Sequence, residues 1–461
     1  MSQEERKVKF EDFFDFDAKE PINRLAYTKE DMDYKIKIIK KMQELGMDIT
    51  VDKACNVCGT IKMGNNPKKT LAIGSHTDSV YDGGQYDGPA GVCIALDTVE
   101  KLSKSKNVNG IIKVAIYACE ESSRFGNACI GSKYLNGNIN EEKFSEIYAV
   151  KEKDKKVLLK DEIQKSIEYL KENVEGIKEV EKIFDKVDYS LEAHIEQYQI
   201  LHKQHKKHKQ EIIGIVNTVG SAVRVEYDVL GRADHTGSTP MDKRRNAATA
   251  VAYIGVMVNK LGKKYDEKQK GRADQVDIWT MEHERSFNQT PRLAHGDIDF
   301  RLIGETKPDE ILADFDKIVK KVEKKTKTEI KPHVISQGKP IITSAKLNKK
   351  IAEVCDNLEV QHKEMPSYPG QDTGYVPAKQ KTMIFIPSKG GSHNPLETTK
   401  KQHLELGSKV IENVVQELLR QKEKDKWAVD LEGKKVPNNK KSKDKIKGKE
   451  VKTQTEVNQG R

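Results

Sequence analysis

Apolar and polar positions along this chain follow two rhythms, and each run predicts an element. Residues 70–73 are a short continuous apolar run, which predicts a buried strand. Residues 111–119 (IIKVAIYAC) predict a second strand, and residues 381–386 another. Residues 189–197 alternate, which predicts a strand turning Glu192, His194 and Glu196 to one face. Helical spacing runs over 28–45, with Thr28 and Glu30–Asp31 as start signals and Gly46 as the stop. It returns over 90–103, 344–357 and 399–419. Shorter strands are predicted at 48–51 and 58–63, and surface helices across the Lys/Glu-rich 141–187.

From residue 212 the rhythm changes. Strands at 212–219, 221–230, 274–282 and 294–303, with helices at 245–261 and 307–324, predict an α+β block of its own. A strand at 334–342 then returns to the earlier style. The pattern divides the chain into a catalytic α/β part at 1–211 and 333–425, an insertion at 212–332, and a tail at 426–461.

Charge changes this picture only at the end. The 461 residues carry a formal net charge of +10, yet residues 434–461 hold ten Lys/Arg against three Asp/Glu. The tail lacks aromatics after Trp427 and is expected to be disordered, so a nucleic-acid partner is not expected. Six scattered cysteines suit a reducing compartment, and Cys55-x-x-Cys58 has no second pair to make a zinc knuckle. No 18-residue apolar run occurs, so the expectation is a soluble cytoplasmic protein without a membrane partner.

Candidate chemistry falls where strands end. After 70–73 the chain reads GSHTDSVYDGGQYDGPAG, which places His76 and Asp78 two apart on extended backbone. That spacing lets a carboxylate take the second ring N–H of a metal-binding imidazole. Asp87 follows a tight glycine turn. The strand at 111–119 runs into Glu120–Glu121, whose side chains leave on opposite sides, so one can bind metal while the other handles protons. His194 lies on the third strand and His393 in a Gly-rich loop before the last helix. Together these histidines and carboxylates suit a binuclear site for zinc or a similar divalent ion. His202, His205 and His208 in LHKQHKKHKQ are spaced three apart among four lysines, so a charged loop is expected there rather than a metal site.

The series GSHTDSV, GGQYDG, EESSRFG, LEAHIEQ, GRADHTGSTPM and GGSHNPLE resembles the motifs of the N-carbamoyl-L-amino-acid hydrolase, allantoate amidohydrolase and β-ureidopropionase family. That family lies within the di-zinc amidohydrolase and exopeptidase superfamily. The resemblance spans about residues 20–420, in the same order throughout. It implies an α/β fold: a mixed-sheet, di-zinc exopeptidase-like catalytic domain with an inserted α+β lid that also dimerises. It implies two divalent ions, zinc first and manganese, cobalt or nickel as substitutes, bridged by Asp87. His76 and His194 complete one shell, Glu121 and His393 the other. Glu120 is implied as general base, Asp78 as the group orienting His76, and His235 as a lid histidine reaching across the dimer to an oxyanion. Gln197, Asn288 and Arg301 are implied substrate contacts, the last a carboxylate clamp. The implied substrate is a small ureido acid. Two positions depart from the pattern: Tyr198 stands where the family usually has glycine, and Gly370–Gln371–Asp372–Thr373 where many members read GHDA.

Overall fold

The computed structural model describes residues 7–105, 107–150, 156–280, 287–420, 427–429 and 435–437. In chain order the strands are β1 (Asp48–Val51), β2 (Val57–Met63), β3 (Thr70–His76), β4 (Gly110–Tyr117), β5 (Lys178–Glu179), β6 (Val187–Ile195) and β7 (Ile212–Val219). They continue as β8 (Ser221–Leu230), β9 (Gly271–Thr280), β10 (Leu293–Leu302), β11 (Glu329–Gln337), β12 (Ile341–Ile342), β13 (Gln361–Ser367) and β14 (Ala378–Ile386).

The main sheet runs β12-β7-β14-β6-β3-β4-β2-β1-β5, with β13 added beside β7. Its centre, β14-β6-β3-β4, is parallel. Antiparallel pairings flank it on both sides, β2 against β4 and β7 against β14. Central parallel strands are covered on both faces, which is why β3 and β6 read as nearly continuous buried runs. Helices Pro89–Ser103 and Lys401–Leu419 pack together over one face, joined by Asp97, which accepts from Lys101 at 2.8 Å and from the Ser408 hydroxyl. Parallel order brings the C-terminal ends of four strands to one edge. Open α/β sheets bind ligands at that edge.

The insertion is a four-stranded antiparallel sheet, β11-β8-β10-β9, with helices Ala247–Glu267 and Pro308–Thr326 on one face. Val223, Val225, Tyr227 and Val229 alternate into its own core with Ile254, Phe300 and Phe315. Mixed main sheet and separate antiparallel sheet match the expected architecture. Its bounds differ from the sequence expectation. Strand β7 belongs to the main sheet and β11 to the insertion, so the insertion runs from Ser221 to Gln337. The reason is local: β7 and β8 are both apolar and only Gly220 separates them, at a point where the Tyr368 carbonyl leaves no room for a Cβ.

Two other expectations are corrected. The expected charged loop after residue 199 is a helix, Ile200–His208, because the Glu196 carboxylate accepts the amides of Leu201 and His202, both at 2.7 Å, and Leu201 is buried. Strand β13 (QHKEMPS) is mostly polar and, among the described residues, pairs only with β7, so hydropathy does not mark it. Beyond Arg420 a second unit contains Trp427–Val429 paired antiparallel with Lys435–Pro437, so those six residues are strand rather than coil. The rest of the expected disordered tail lies outside the described residues. No helix among the described residues is long and apolar enough to cross a membrane.

Candidate metal centre and catalytic cleft

Strand β3 delivers His76, which is fully buried, and β6 delivers His194. Strand β4 stops at Tyr117 and the chain turns through Glu120 and Glu121; the loop after β14 brings His393. Asp87 sits between them. Its Oδ1 lies 3.0 Å from His194 Nε2 and 3.8 Å from His76 Nε2, while its Oδ2 lies 3.5 Å from His393 Nε2. Glu121 Oε1 lies 2.9 Å from the same His393 nitrogen. Two ligand groups therefore share Asp87: His76, Asp87 and His194, then Asp87, Glu121 and His393.

The donors suit two divalent ions. Asp87 Oδ2 and His194 Nε2 are buried with no hydrogen-bond partner among the described residues, which is costly unless a further group binds there. Imidazole and carboxylate are the donors that zinc takes. Both inner imidazoles have their other nitrogen fixed, His194 Nδ1 to its neighbour's carbonyl, Ile195 O, at 2.9 Å and His76 Nδ1 to Asp78 O at 3.0 Å. That leaves Nε2 of each as the free donor. Burial pushes His76 down to about 4, so it is neutral and able to ligate. Burial also opposes charge on His194 and His393, but Asp87 beside the first and Glu121 beside the second raise each to about 9.

Asp78 does not hold His76 as the sequence suggested. Its carboxylate is 3.9 Å from His76 Nδ1, where the Asp78 carbonyl has taken the place. The carboxylate instead accepts the backbone amides of Glu120 (3.2 Å) and Glu121 (2.9 Å) and so positions the tandem. Burial, then the charges of Glu121, Asp372, Asp78 and Asp87, hold Glu120 well above the usual carboxylate range.

Several supporting residues carried no assigned role in the sequence reading. Glu397 Oε1 accepts the amides of Tyr86 and Asp87, each at 2.9 Å, and so fixes the shared aspartate. Glu192 accepts from the hydroxyls of Ser75 and Thr373 and from the Thr373 amide, tying β6 to β3. Asp31, buried in an ion pair with Lys35 at 2.7 Å, accepts from Thr77 between His76 and Asp78. Glu397 and Glu192 stand in motifs already singled out, GGSHNPLE and LEAHIEQ, and Asp31 among the helix start signals, but nothing in the sequence ties them to the centre. Gly88 has φ 88°, and a Cβ there would lie 2.5 Å from the His76 ring. His393 is itself left-handed (φ 63°), in a loop pinned by Asn394, whose side chain donates to Gly390 O and Gly391 O.

A cavity of about 980 Å³ opens over this edge and is lined in part by residues of the insertion. Glu120, Glu121, Gln197, Arg301 and His393 line it, as does Tyr198. Gln197 Oε1 is buried there without a hydrogen-bond partner among the described residues. His235 and Asn288 are not among its lining residues. They lie exposed beside one another, His235 bridged to Gln289 and the Thr236 amide donating to Asn288 O.

A mixed sheet with an inserted antiparallel domain and a paired His/carboxylate centre defines a metal-binding hydrolase class. The chain belongs to peptidase family M20/M25/M40, whose profile matches residues 72–417. Among its relatives, it is 26% identical to the ureidoglycolate hydrolase of Arabidopsis thaliana, over 86% of this chain and 82% of that protein. It is 25% identical to the N-carbamoyl-L-amino acid amidohydrolase of Geobacillus stearothermophilus, over 86% and 93%. A crystal structure of an amidase of the hydantoinase/carbamoylase family from Burkholderia multivorans superposes with a TM-score of 0.74 at 25% identity, covering 87% of this chain and 94% of that one.

Proposed function

We propose that this protein hydrolyses the ureido C–N bond of N-carbamoyl-L-amino acids, consuming water and releasing the amino acid, ammonia and carbon dioxide. One observation carries the reading. Glu121 and His393 of the two-lobed His/carboxylate centre line one cavity together with a protonatable Glu120 and the amide and guanidinium of Gln197 and Arg301, and Asp87 links that lobe to the buried one. The relatives named for carbamoyl and ureido substrates support that choice of bond.

His76, Asp87 and His194 would hold one ion and Asp87, Glu121 and His393 the other, zinc first and manganese, cobalt or nickel as alternatives. When bound, the ions supply Lewis acidity toward the scissile carbonyl and a water activated at neutral pH. Glu120 takes a proton from the attacking water and passes it to the leaving nitrogen, a task suited to a buried carboxylate whose proton affinity is raised. Arg301 and Gln197 orient the substrate by its carboxylate and ureido group.

The active form is proposed as a homodimer through the insertion. Strand β9 is the edge of its sheet and exposes Val276, Ile278 and Trp279, while Val256 is exposed on the neighbouring helix. An open apolar edge of this kind favours pairing. His235 and Asn288 lie outside their own chain's cavity lining, which suits residues that complete a partner's site and steady its oxyanion. The six cysteines are all free and buried, in keeping with work in a reducing cytoplasm.

The test is ammonia release by protein loaded with each metal. N-carbamoyl-L-amino acids are compared with N-carbamoyl-β-alanine and allantoate, and with N-acetyl-amino acids and dipeptides followed by amine release. Turnover confined to ureides is expected. Cleavage of acetyl compounds or dipeptides alone would move the protein to the deacylase and dipeptidase branch. Tyr198 and Gln371, which depart from the ureidohydrolase pattern on the substrate side, make allantoate or N-carbamoyl-β-alanine the second reading.

A further inference from the structure

The insertion's cavity face carries three arginines where a single carboxylate would need one. Arg224 on β8, Arg272 on β9 and Arg301 on β10 all line the cavity. Arg301 and Arg272 are direct cross-strand partners. Arg224 stands opposite Asp299, two residues before Arg301, so all three leave one face of the sheet. Like charges directly opposite on neighbouring strands repel and weaken a sheet. The arrangement is therefore not explained by stability.

Arg301 is tied to a carboxylate side-on, whereas Arg224 and Arg272 are anchored through Nε alone. Arg301 binds Asp299 through Nε at 2.8 Å and Nη2 at 2.9 Å, and Arg224 reaches the same carboxylate only through Nε, at 3.5 Å. Arg272 donates from Nε to Asp266 Oδ1 at 3.0 Å, and its guanidinium stacks 3.6 Å from the centre of the Tyr368 ring. The Tyr368 hydroxyl donates to that same Asp266 oxygen at 2.9 Å, which fixes the stack. Among the described residues no carboxylate accepts a hydrogen bond from the Nη groups of Arg224 or Arg272, and Glu267 and Glu364, which also line the cavity, form no ion pair with them. A stacked, Nε-anchored guanidinium presents its terminal fork in a fixed plane, which suits a carboxylate. The cavity lies near the upper end of the usual range for small-molecule sites and so has room for a substituent beyond the core of a small ureido acid.

We propose that Arg224 and Arg272 receive a second carboxylate, carried on the substrate's side chain, while Arg301 holds the α-carboxylate. The preferred substrates are then ureido derivatives of acidic amino acids. This rests on the ureido reading of the centre, and the test separates the two.

Binding is measured by calorimetry on the zinc-loaded Glu120→Gln protein, so no turnover is needed. N-carbamoyl-L-glutamate is compared with its uncharged isostere N-carbamoyl-L-glutamine. The glutamate compound is expected to bind at least about tenfold more tightly, since hydrogen bonds between charged groups are worth about one to two decades of affinity. In Arg272→Gln and in Arg224→Gln that ratio falls toward one. Arg224→Gln leaves the Arg272–Tyr368–Asp266 stack intact and serves where Arg272→Gln does not fold. A ratio near one with all three arginines present, or a ratio that survives both substitutions, overturns the clamp. A high ratio lost in the variants upholds it, even if the wild type cleaves only N-acetyl compounds and so overturns the ureido reading.

Discussion

The Asp78 carboxylate accepts the backbone amide of Glu121 at 2.9 Å, and with it joins the end of β3 to the end of β4. A side chain two residues beyond one ligand thus sets the backbone of another. Asp78→Asn keeps the shape but turns an NH₂ toward one of the two amides, leaving that amide unpaired. Outer-shell changes of this kind cost about ten- to a hundredfold in metal affinity or activity. The expected result is kcat lowered by that factor, with metal content dropping from two ions per chain toward one, read by elemental analysis after dialysis.

Glu120 touches the cavity but belongs to neither ligand group. Glu120→Gln is therefore expected to retain both ions and lose about 10²- to 10⁴-fold in kcat, the usual range for removal of a general base. Metal analysis and steady-state kinetics on one preparation decide it. Near-normal turnover by the loaded variant would take Glu120 out of the proton-transfer role.

Glu397 supports Asp87 through two amides at once. Glu397→Ala leaves both buried and unpaired, at about 1–3 kcal/mol each. A Tm drop of several degrees in metal-free protein is expected, together with weaker retention of both ions, since both share Asp87. Glu397→Gln keeps one acceptor oxygen and is expected to recover most of the Tm.

His403 gives the fold an acid limit away from the metal centre. Burial holds it at about 4, with neighbouring His205 adding to the effect and its hydrogen bond to Pro387 O opposing it. An unfolded histidine titrates near 6.5. Between those values the unfolded chain binds the extra proton, so stability rises with pH from about 4 to 6.5 and is lost on acidification through that window. His403→Gln is expected to lose about 2 kcal/mol less than wild type between pH 7 and pH 5. Urea unfolding of metal-free protein at the two pH values measures the difference.

Strand ends were legible because an apolar run that stops at a histidine or paired glutamates is visible in one dimension. His76, Glu121 and His194 announce themselves in that way. The role of Asp78 was not legible, since its partners are backbone amides and every residue but proline has one. Glu192 and Asp31 escaped for a related reason: their partners, Thr373 and Thr77, are commonplace side chains whose proximity exists only after folding. The insertion's start is displaced by one strand because β7 and β8 follow each other with only Gly220 between them, so no loop in the sequence marks the passage from one sheet to the other. Strand β13 was invisible because pairing along one edge needs backbone alone, and its side chains remained polar.

The order in which the ligands leave the ribosome has its own consequence. His76, Asp87 and Glu121 come from the first third of the chain, His194 follows, and His393 arrives only after the whole insertion has been synthesised. The first lobe of the centre is therefore complete in a nascent chain that still lacks β7 to β14, while the second is not. A chain that stalls or is cut within the insertion has one lobe at most. Occupancy of the second lobe would require the chain to have been made at least as far as His393, so free energy gained there would accrue only to molecules that carry the whole insertion.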